Sequence, residues 1–446
     1  MQLAFVQTSI KHNMSIRYPA VDWLAGANIY EVNIRQYTPE GTFKAFAKHL
    51  SRLKEMGVAI LWFMPITPIS QQKKKGSLGS YYACSSYTDI NPEFGNKEDF
   101  KALIDQAHSL GFKVIIDWVA NHTGWDHLWT SNPDWYRKDA QGNFTEIHGW
   151  DDVIDLNYDN MEMQSAMIEA MKYWIGLFDI DGFRCDMAHL VQLEFWSKAR
   201  RSCEKIKKLL WLGECDEDNY SEVFDITYSW RWMHATENYA KDPGNFDQIK
   251  ASLDGYYHLP PEAQKLYFTS NHDENSWNGT EYEKYGPLLS KTWAAFSFLF
   301  PGVPLIYSGQ ELPNKKRLLF FDKDQIEWSS TPIPQLAAFY STLCTIRKSH
   351  PVYKDGMTMQ WIKTEGGDSV LAFYLQRQQH KALILLNLSD TDQHAVPING
   401  QLTADQLAGK FIHIAENQTA RMVTPLPSDS VFELAAGAYQ AYFSVD

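Results

Sequence analysis

The chain has 446 residues, of which 44% are hydrophobic and 21% charged, and this length predicts a globular protein of two or three domains. Its formal net charge of -13 disfavours a nucleic-acid partner, because such partners require a cationic surface, and it favours neutral substrates. No stretch approaches the roughly 18 consecutive apolar residues of a membrane span, so we expect no membrane partner.

The cysteines and the N-terminus bear on the cellular compartment. The five cysteines are odd in number, scattered and without CxxC spacing, which predicts neither a disulfide framework nor a zinc site. Residues 1–5 do not begin a basic region followed by an apolar run and a cleavage site. We expect a cytoplasmic protein, or alternatively a periplasmic or secreted one from which a signal peptide was removed. The oligomeric state is left open.

Short apolar, β-branched runs alternate with helical segments between residues 28 and 350. The predicted strands cover residues 28–34, 58–65, 112–119, 182–186, 209–215, 225–229, 266–273 and 304–311. Helical periodicity between them is clearest over 44–56, 97–110, 161–178 and 285–298. Eight such strands favour a closed (β/α)8 TIM barrel over an open sheet, and no GxGxxG or Walker loop competes with this interpretation.

Two segments depart from the alternating pattern. Residues 123–159, after the third strand, are rich in Trp, Asp, Asn and Gly without a sustained period, which predicts a small inserted domain above the barrel. After about residue 350, short alternating runs at 369–374, 381–388, 410–415 and 438–445 predict a C-terminal antiparallel β-sandwich. The predicted fold class is therefore α/β, with a barrel at 1–122 and 160–350, an inserted domain at 123–159 and a sandwich at 351–446.

Three predicted strands of the barrel end in a carboxylate: Asp186, Glu214 and Asp273. One acidic residue at a strand end is more often a helix cap or a rim charge, but strand ends share one mouth in a barrel. Clustered carboxylates repel, which raises at least one pKa, as a general acid near neutral pH requires. Such a pair of carboxylates breaks glycosidic bonds. Arg184, two residues before Asp186, lies on the same face of its strand and keeps that carboxylate ionised.

These strand ends resemble the sequence regions that define the α-amylase family of glycoside hydrolases. The four regions correspond in order to residues 117–122, 182–189, 213–214 and 271–273, and further similarity covers 80–82, 91–95 and 301–311. The resemblance spans nearly the whole chain. It implies the barrel, the inserted domain and the β-sandwich already predicted.

The resemblance also implies roles for individual residues. Asp186 is the expected nucleophile and Glu214 the expected acid/base, while Asp273 is expected to grip hydroxyls of the sugar at the cleavage point. Asp117 is expected to support the site from below. The implied substrate-binding residues are Tyr82, His122, Arg184, His189 and His272.

A structural calcium ion is a further implication of the resemblance, with Asn121 and Asp155 as its ligands. A plain hydrogen-bonding role for Asn121 is an equal alternative, because hard cations need six or more oxygens. The expected chemistry requires no cofactor.

The leading hypothesis is hydrolysis of internal α-1,4-glucosidic bonds in starch-like glucans or malto-oligosaccharides with retention of configuration. An α-glucosidase or a glucanotransferase of the same family, acting on short α-glucans, is the alternative, and residues 153–157 leave α-1,4 and α-1,6 linkage open. A non-catalytic sugar-binding barrel is a distant alternative, since such proteins usually lack one of the three carboxylates. A metal hydrolase is disfavoured because His-x-His and HExxH patterns are missing.

Overall fold

The computed structural model describes residues 18–256, 258–260, 262–328, 334–366, 369–398, 401–415, 421–423 and 431–445, and residues 1–5, considered above for a signal, lie outside them. The strands are β1 Ile29–Val32, β2 Ile60–Phe63, β3 Lys113–Trp118, β4 His122–Gly124, β5 Val153–Asp155, β6 Gly182–Cys185, β7 Leu210–Gly213, β8 Ile226–Tyr228, β9 Gln264–Tyr267, β10 Val303–Tyr307, β11 Thr358–Ile362, β12 Thr364–Glu365, β13 Val370–Arg377, β14 His380–Asn387, β15 Gln393–Pro397, β16 Lys410–Ala415, β17 Arg421–Val423, β18 Phe432–Leu434 and β19 Tyr439–Val445. The α-helices are α1 Ile34–Tyr37, α2 Phe43–Ala47, α3 Leu50–Met56, α4 Lys97–Ser109, α5 Met161–Phe178, α6 Leu193–Cys203, α7 Trp230–Lys241, α8 Phe246–Asp254, α9 Glu281–Leu299, α10 Ala337–Ser349 and α11 Ala404–Leu407.

Eight parallel strands close into a barrel in the order β1-β10-β9-β8-β7-β6-β3-β2. Strands β1, β2 and β7 are buried at every residue, because helices cover the outer face of the barrel and side chains fill its interior. Six of the eight predicted strands contain a barrel strand, and the other two, 266–273 and 304–311, overlap β9 and β10, which begin earlier, at Gln264 and Val303. The closed barrel confirms the predicted fold class.

Two predicted helices differ from the observed ones. The predicted segment 44–56 is split into α2 and α3, because the Lys48 amide bonds to the carbonyls of Ala45 and Phe46 and tightens the chain. Helix α9 starts earlier than predicted, with a capping box between Thr280 and Glu283. Its early turns are kinked at Gly286, whose φ is 72°, and at the proline that follows.

The segment between β3 and α5 is a compact excursion. Strands β4 and β5 pair antiparallel, with His122 opposite Asp155 and Gly124 opposite Val153. Two 3-10 turns, Leu128–Ser131 and Pro133–Trp135, lie between these strands. Because β4 directly follows the C-terminal end of β3, the excursion stands at the mouth of the barrel.

The C-terminal region forms two antiparallel sheets, of order β11-β13-β14-β19-β16-β17 and β12-β15-β18. Alternate residues of β13 face opposite ways, and both faces of the strand are buried over its first six residues. Ala372 and Tyr374 pack in a core shared with Ala395 of β15, whereas Leu371 and Phe373 join the main core of the barrel. The larger sheet therefore packs between the barrel and the smaller sheet.

Two further features concern cysteines and membranes. The cysteines at positions 84, 185, 203, 215 and 344 are all buried and unpaired. Among the described helices, none combines the length and the apolar character needed to cross a membrane.

Candidate active site

Adjacent strands of the barrel carry the two carboxylates that the sequence predicts for catalysis. Asp186 follows β6 and Glu214 follows β7, and these strands pair in parallel, with Cys185 opposite Gly213. The strands approach closely at Gly182, where a Cβ would lie 2.2 Å from the carbonyl oxygen of Leu210. Both carboxylates are 5% exposed. Parallel pairing therefore places the two side chains next to each other at the C-terminal mouth of the barrel.

One guanidinium group contacts the carboxylates of both strand ends. Arg184 Nη1 donates to Asp186 Oδ1 at 2.9 Å and to Asp117 Oδ1 at 3.0 Å. The Nη2 atom of Arg184 forms an ion pair with Glu214 Oε2 at 2.7 Å. The Arg184 side chain is fully buried, and the Tyr228 hydroxyl accepts a hydrogen bond from its Nε at 3.2 Å. The guanidinium holds three carboxylates of different strands in one cluster.

A single cation does not neutralise this cluster, and the pKa values of its carboxyl groups shift accordingly. Burial raises the pKa of Glu214 to about 7; Arg184 opposes the shift, and Asp186 and Asp273 add to it. Burial also raises the pKa of Asp186 to about 6, again against Arg184. Glu214 is therefore the last of this pair to release its proton as pH rises, which suits a general acid.

The backbone after Asp186 also holds Glu214. Met187 adopts the left-handed region with a φ of 40°, a conformation that few non-glycine residues take. In this conformation its amide donates to Glu214 Oε2 at 2.8 Å. The Ala188 amide donates to the Glu214 carbonyl at 3.0 Å. The turn after the predicted nucleophile thus positions the predicted acid/base.

The third predicted carboxylate, Asp273, belongs to a second hydrogen-bonded chain. His272 Nε2 lies 3.2 Å from Asp273 Oδ2 and 2.7 Å from the Tyr82 hydroxyl, while His272 Nδ1 lies 2.5 Å from Glu31 Oε1. Burial would lower the pKa of His272, but Asp273 and Glu31 raise it well above its usual value. A protonated His272 lowers the pKa of Asp273 against the effect of burial, so Asp273 is ionised at neutral pH. Its side chain is 41% exposed and faces the mouth.

Tyr82 and Asp117 join the two clusters. The Tyr82 hydroxyl donates to Asp117 Oδ2 at 3.2 Å, and the Tyr82 ring stacks on the His272 ring with centroids 5.3 Å apart. Asp117 also accepts from Trp62 Nε1 at 3.1 Å. Asp117 therefore lies beneath the site, surrounded by donors.

His122 and His189 occupy different surroundings. The buried His122 ring hydrogen-bonds the backbone of Tyr82, and burial lowers its pKa to about 4, so it is neutral at physiological pH. The structure brings it next to the cluster. His189 is exposed in the 3-10 turn Ala188–Leu190, two residues after Met187, and lies at the rim.

The predicted calcium ligands lie together beside the inserted excursion. The Asn121 carbonyl accepts from the Leu156 amide at 3.0 Å, and Asp155, the residue before Leu156, is 2% exposed, with an Oδ1 that has no hydrogen-bond partner. Within the described ranges, no group of three or more His, Cys, Asp or Glu side chains could hold a metal ion. These donors are fewer than the six to eight oxygens that calcium takes, so they do not fit the ion, and the calcium site stays a prediction.

Two large surface cavities lie away from the carboxylates. One, of about 510 Å³, is lined by glutamines of the C-terminal sheets, among them Gln360 and Gln376. The other, of about 810 Å³, lies between the inserted excursion and α6, with Tyr136 and Gln192 in its walls. Neither is lined by Asp186, Glu214 or Asp273, so the chemistry of the side chains, and not cavity size, locates the candidate site.

Several residues of the site were not predicted from the sequence. Glu31, Trp62 and Tyr228 lie inside barrel strands, where they had no signal beyond that of a buried strand. The short runs predicted strands correctly, but a run does not show which of its side chains faces the mouth. A single signal was available, since Glu31 is a lone carboxylate within an apolar run, and a buried charge needs a partner.

Comparison with known proteins independently supports the resemblance to the α-amylase family. The family model for the α-amylase catalytic domain matches residues 20–144 and 131–331. An α-amylase of Haloarcula japonica is 26% identical over 392 residues, which are 83% of this chain and 56% of that protein. The chain thus spans little more than half the length of this relative.

Solved structures agree in fold along nearly the whole chain. A maltogenic α-amylase from Thermotoga neapolitana superposes with a TM-score of 0.84 at 28% identity, covering 95% of this chain and 100% of that one. An α-amylase from Lactobacillus plantarum gives a TM-score of 0.80 at 28% identity, with coverage of 95% and 100%. With the family model matching well over half of its residues and the carboxylates clustered at the barrel mouth, this chain belongs to the α-amylase family of glycoside hydrolases.

Proposed function

We propose that the protein hydrolyses internal α-1,4-glucosidic bonds of starch-like glucans or malto-oligosaccharides with retention of configuration. The observation that carries this proposal is the pair Asp186 and Glu214, held side by side on the guanidinium of Arg184. Retaining glycosidases use two carboxyl groups about 5 Å apart, one as nucleophile and one as acid/base. Both groups lie at the barrel mouth, where a glucan chain has access.

The electrostatics of the pair support the two proposed roles. Arg184 donates to Asp186 Oδ1, which stabilises the carboxylate that attacks the anomeric carbon. Glu214, with its pKa raised to about 7, holds a proton that it delivers to the departing glycosidic oxygen. Once the covalent glucosyl intermediate has formed, the ionised Glu214 takes a proton from water, which then attacks the same carbon.

The second cluster positions the sugar at the cleavage point. Asp273 is ionised and partly exposed, so its carboxylate accepts hydrogen bonds from sugar hydroxyls that strengthen as the ring flattens. His122 is neutral and His272 is charged, and both lie against Tyr82, whose ring forms the floor under that sugar. Binding of this kind favours the distorted ring of the transition state.

The decisive experiment replaces each carboxylate by its amide. Asp186→Asn and Glu214→Gln each should lower kcat/KM for maltoheptaose by at least about a thousandfold, because each removes a covalent or proton-transfer step. Glu217→Gln, an exposed carboxylate on the same loop as Glu214, is the matched control and should stay within about twofold. Activity of Asp186→Asn and Glu214→Gln within threefold of the parent would show that the proposed chemistry is wrong.

Product analysis tests the substrate and the mode of action. Incubation with maltoheptaose, pullulan, isomaltose and sucrose should yield reducing sugar from maltoheptaose first, with several intermediate chain lengths appearing early. Transfer products that outrun reducing sugar would instead identify a glucanotransferase. Retention is checked by the anomeric form of the first product.

A further inference from the structure

A cluster of charged side chains surrounds Asp216, two residues after Glu214 on the loop that follows β7. The Oδ1 atom of Asp216 accepts from Lys265 Nζ at 2.6 Å, and its Oδ2 atom accepts from the Tyr256 hydroxyl at 2.9 Å and from the Arg231 amide at 2.8 Å. The guanidinium of Arg231 donates to both carboxylate oxygens at 3.3 Å. The side chain of Asp216 is 12% exposed. Four donor groups from three other parts of the chain therefore hold this carboxylate.

Lys265 is a buried cation in a strand of the barrel. It belongs to β9 and is 4% exposed. A buried charge costs free energy unless it is paired, and Asp216 is the carboxylate that pairs with it. Lys265 Nζ also donates to the Tyr228 carbonyl at 3.0 Å. The hydroxyl of Tyr228 accepts from Arg184, which forms an ion pair with Glu214, so the cluster is connected to the carboxylate pair along this route as well.

Asp216 also caps a helix that follows the next strand. Helix α7 begins at Trp230, and the residue before it, Ser229, makes no side-chain capping hydrogen bond. The Arg231 amide, in the first turn of α7, donates to Asp216 instead. A negatively charged acceptor at the N-terminus of a helix stabilises that end. The cap therefore ties the loop after β7 to the helix after β8.

These anchors matter for Glu214 because it directly follows a glycine. A Cβ at Gly213 would lie 2.9 Å from the ring of Phe224, so a larger residue does not fit there. Glycine leaves the backbone more conformational freedom than other residues do. Beyond Glu214, the Cys215 carbonyl accepts from an amide of β8 at 2.9 Å, and Asp216 follows with its four donors. The backbone of Glu214 is therefore also fixed from its C-terminal side.

We propose that Asp216, held by its four donors, is a positioning residue that keeps the Glu214 carboxyl group within reach of the departing glycosidic oxygen. Proton transfer requires donor and acceptor within hydrogen-bond distance, and a displacement of about 1 Å can lower the rate about a hundredfold. Asp216 acts through the backbone and not on the substrate, so its loss affects the steps in which Glu214 moves a proton. This inference rests on the proposed function.

Two substrates with different leaving groups separate this role from a purely structural one. The glycosidic oxygen of maltoheptaose leaves with a proton from Glu214, whereas the fluoride of α-maltosyl fluoride needs none. For the fluoride, kcat/KM covers the steps up to fluoride release and does not depend on the acid. Both substrates are measured with the parent, Asp216→Asn, Lys265→Met and Glu222→Gln. Glu222, an exposed carboxylate in the 3-10 turn of the same loop, is the matched control.

We expect Asp216→Asn to lower kcat/KM for maltoheptaose about tenfold, through kcat and not through KM, and to leave that for α-maltosyl fluoride within twofold. Lys265→Met should show the same selectivity. The variant with both substitutions should lose no more than the more impaired single variant, because both substitutions remove one contact. Glu222→Gln should behave as the parent with both substrates.

Two results would overturn the inference. Equal losses for the two substrates in Asp216→Asn would show that the cluster only stabilises the fold, and an unchanged kcat/KM for maltoheptaose would show that Glu214 does not depend on it. Tyr256→Phe removes one hydroxyl and keeps both ion pairs of Asp216, so it supplies the same test if Asp216→Asn does not fold, with an expected selective loss of about threefold. Failure of the parent to cleave either substrate would instead refute the proposed function.

Discussion

An aspartate lies at each end of strand β6. Both side chains are buried, but they differ in their charged partners and in their pKa values. Asp181 precedes the strand, 1% exposed, and Asp186 follows it, 5% exposed. Asp181 Oδ2 lies 2.7 Å from His108 Nε2, and its Oδ1 lies 3.1 Å from the Nζ atoms of both Lys113 and Lys207. Although burial opposes it, these partners lower the pKa of Asp181 to about 2.

At the other end of β6 the balance of charge is reversed. Asp186 shares Arg184 with Asp117 and Glu214, and Asp273 adds to the repulsion. Burial raises the pKa of Asp186 to about 6 against the effect of Arg184, and Asp117 and Asp273 add to the rise. The comparison indicates a separation of tasks along one strand. Charge compensation at the N-terminal end stabilises the barrel, and charge excess at the C-terminal end suits the chemistry that we propose there.

Arg184→Lys is expected to have the largest effect on activity, because it acts at the C-terminal end of β6. A lysine keeps the charge but has no planar fork, so it cannot contact Asp186, Asp117 and Glu214 at once. We expect kcat/KM for maltoheptaose to fall about a hundredfold or more, since the reacting carboxylates lose their fixed geometry. Arg200→Lys, at a buried arginine paired with Asp225 on the outside of the barrel, is the control. It should lower the melting temperature while kcat/KM stays within about threefold.

Asp181→Asn should lower the stability of the protein and leave its activity unchanged. A carboxylate whose pKa is lowered stabilises the fold above its ordinary value of 3.8, and this contribution is lost as pH falls through about 2. We expect the free energy of unfolding at pH 7 to fall by about 2 kcal/mol, with kcat/KM unchanged within about twofold. Urea denaturation at pH 7 and near pH 2 measures the difference, which should shrink at the lower pH. Loss of activity in a fully folded variant would contradict the separation of tasks.

The fold was accessible from the sequence because its strands are local features. The barrel strands are short, mostly buried runs, and the ends of β6 and β7 locate Asp186 and Glu214 without any long-range information. Asp273 lies beyond the end of its strand, since β9 ends at Tyr267. The strands that escaped prediction are short or lie at the edge of a sheet, except β15, which is the central strand of its sheet. Strand β12 has two residues and β17 has three, too few for an alternating pattern to be visible.

The residues that support the site were harder to predict from the sequence, because their roles depend on which side chains meet across the barrel. Glu31 on β1 contacts His272, which is 241 residues away in sequence, and only closure of the barrel brings them together. The left-handed backbone of Met187 has no sequence signal, since the residue is not glycine. Trp277 lies in a turn without periodicity, so neither its exposure nor its proximity to Phe320 could be predicted.

The pH dependence of catalysis tests the pKa values of the two carboxyl groups that follow β6 and β7. The proposed mechanism requires Asp186 ionised and Glu214 protonated, so kcat/KM for maltoheptaose should fall about tenfold per pH unit below a limb near 6 and above a limb near 7. The two limbs belong to the coupled pair. Fluoride needs no proton to leave, so formation of the covalent intermediate from α-maltosyl fluoride should lose the upper limb. An upper limb that persists unchanged with the fluoride would argue against Glu214 as the acid.

The smallest expected effect is on stability at the reactive end, where Glu214→Gln should stabilise the protein. A carboxyl group whose pKa is raised from 4.5 to about 7 contributes stability below about 4.5 and loses it as pH rises through about 7. At pH 8 the parent therefore contains an ionised, buried Glu214, and Arg184 already has Asp117 and Asp186 as partners. The glutamine removes this charge, and its side-chain oxygen still accepts from the Met187 amide. We expect the free energy of unfolding to rise by about 1 kcal/mol at pH 8 and to be nearly unchanged at pH 4.5. A lower free energy of unfolding for Glu214→Gln than for the parent at pH 8 would mean that the ion pair between Glu214 and Arg184 outweighs the repulsion among the carboxylates. The two ends of β6 would then differ less in charge compensation than the pKa values of their carboxyl groups indicate.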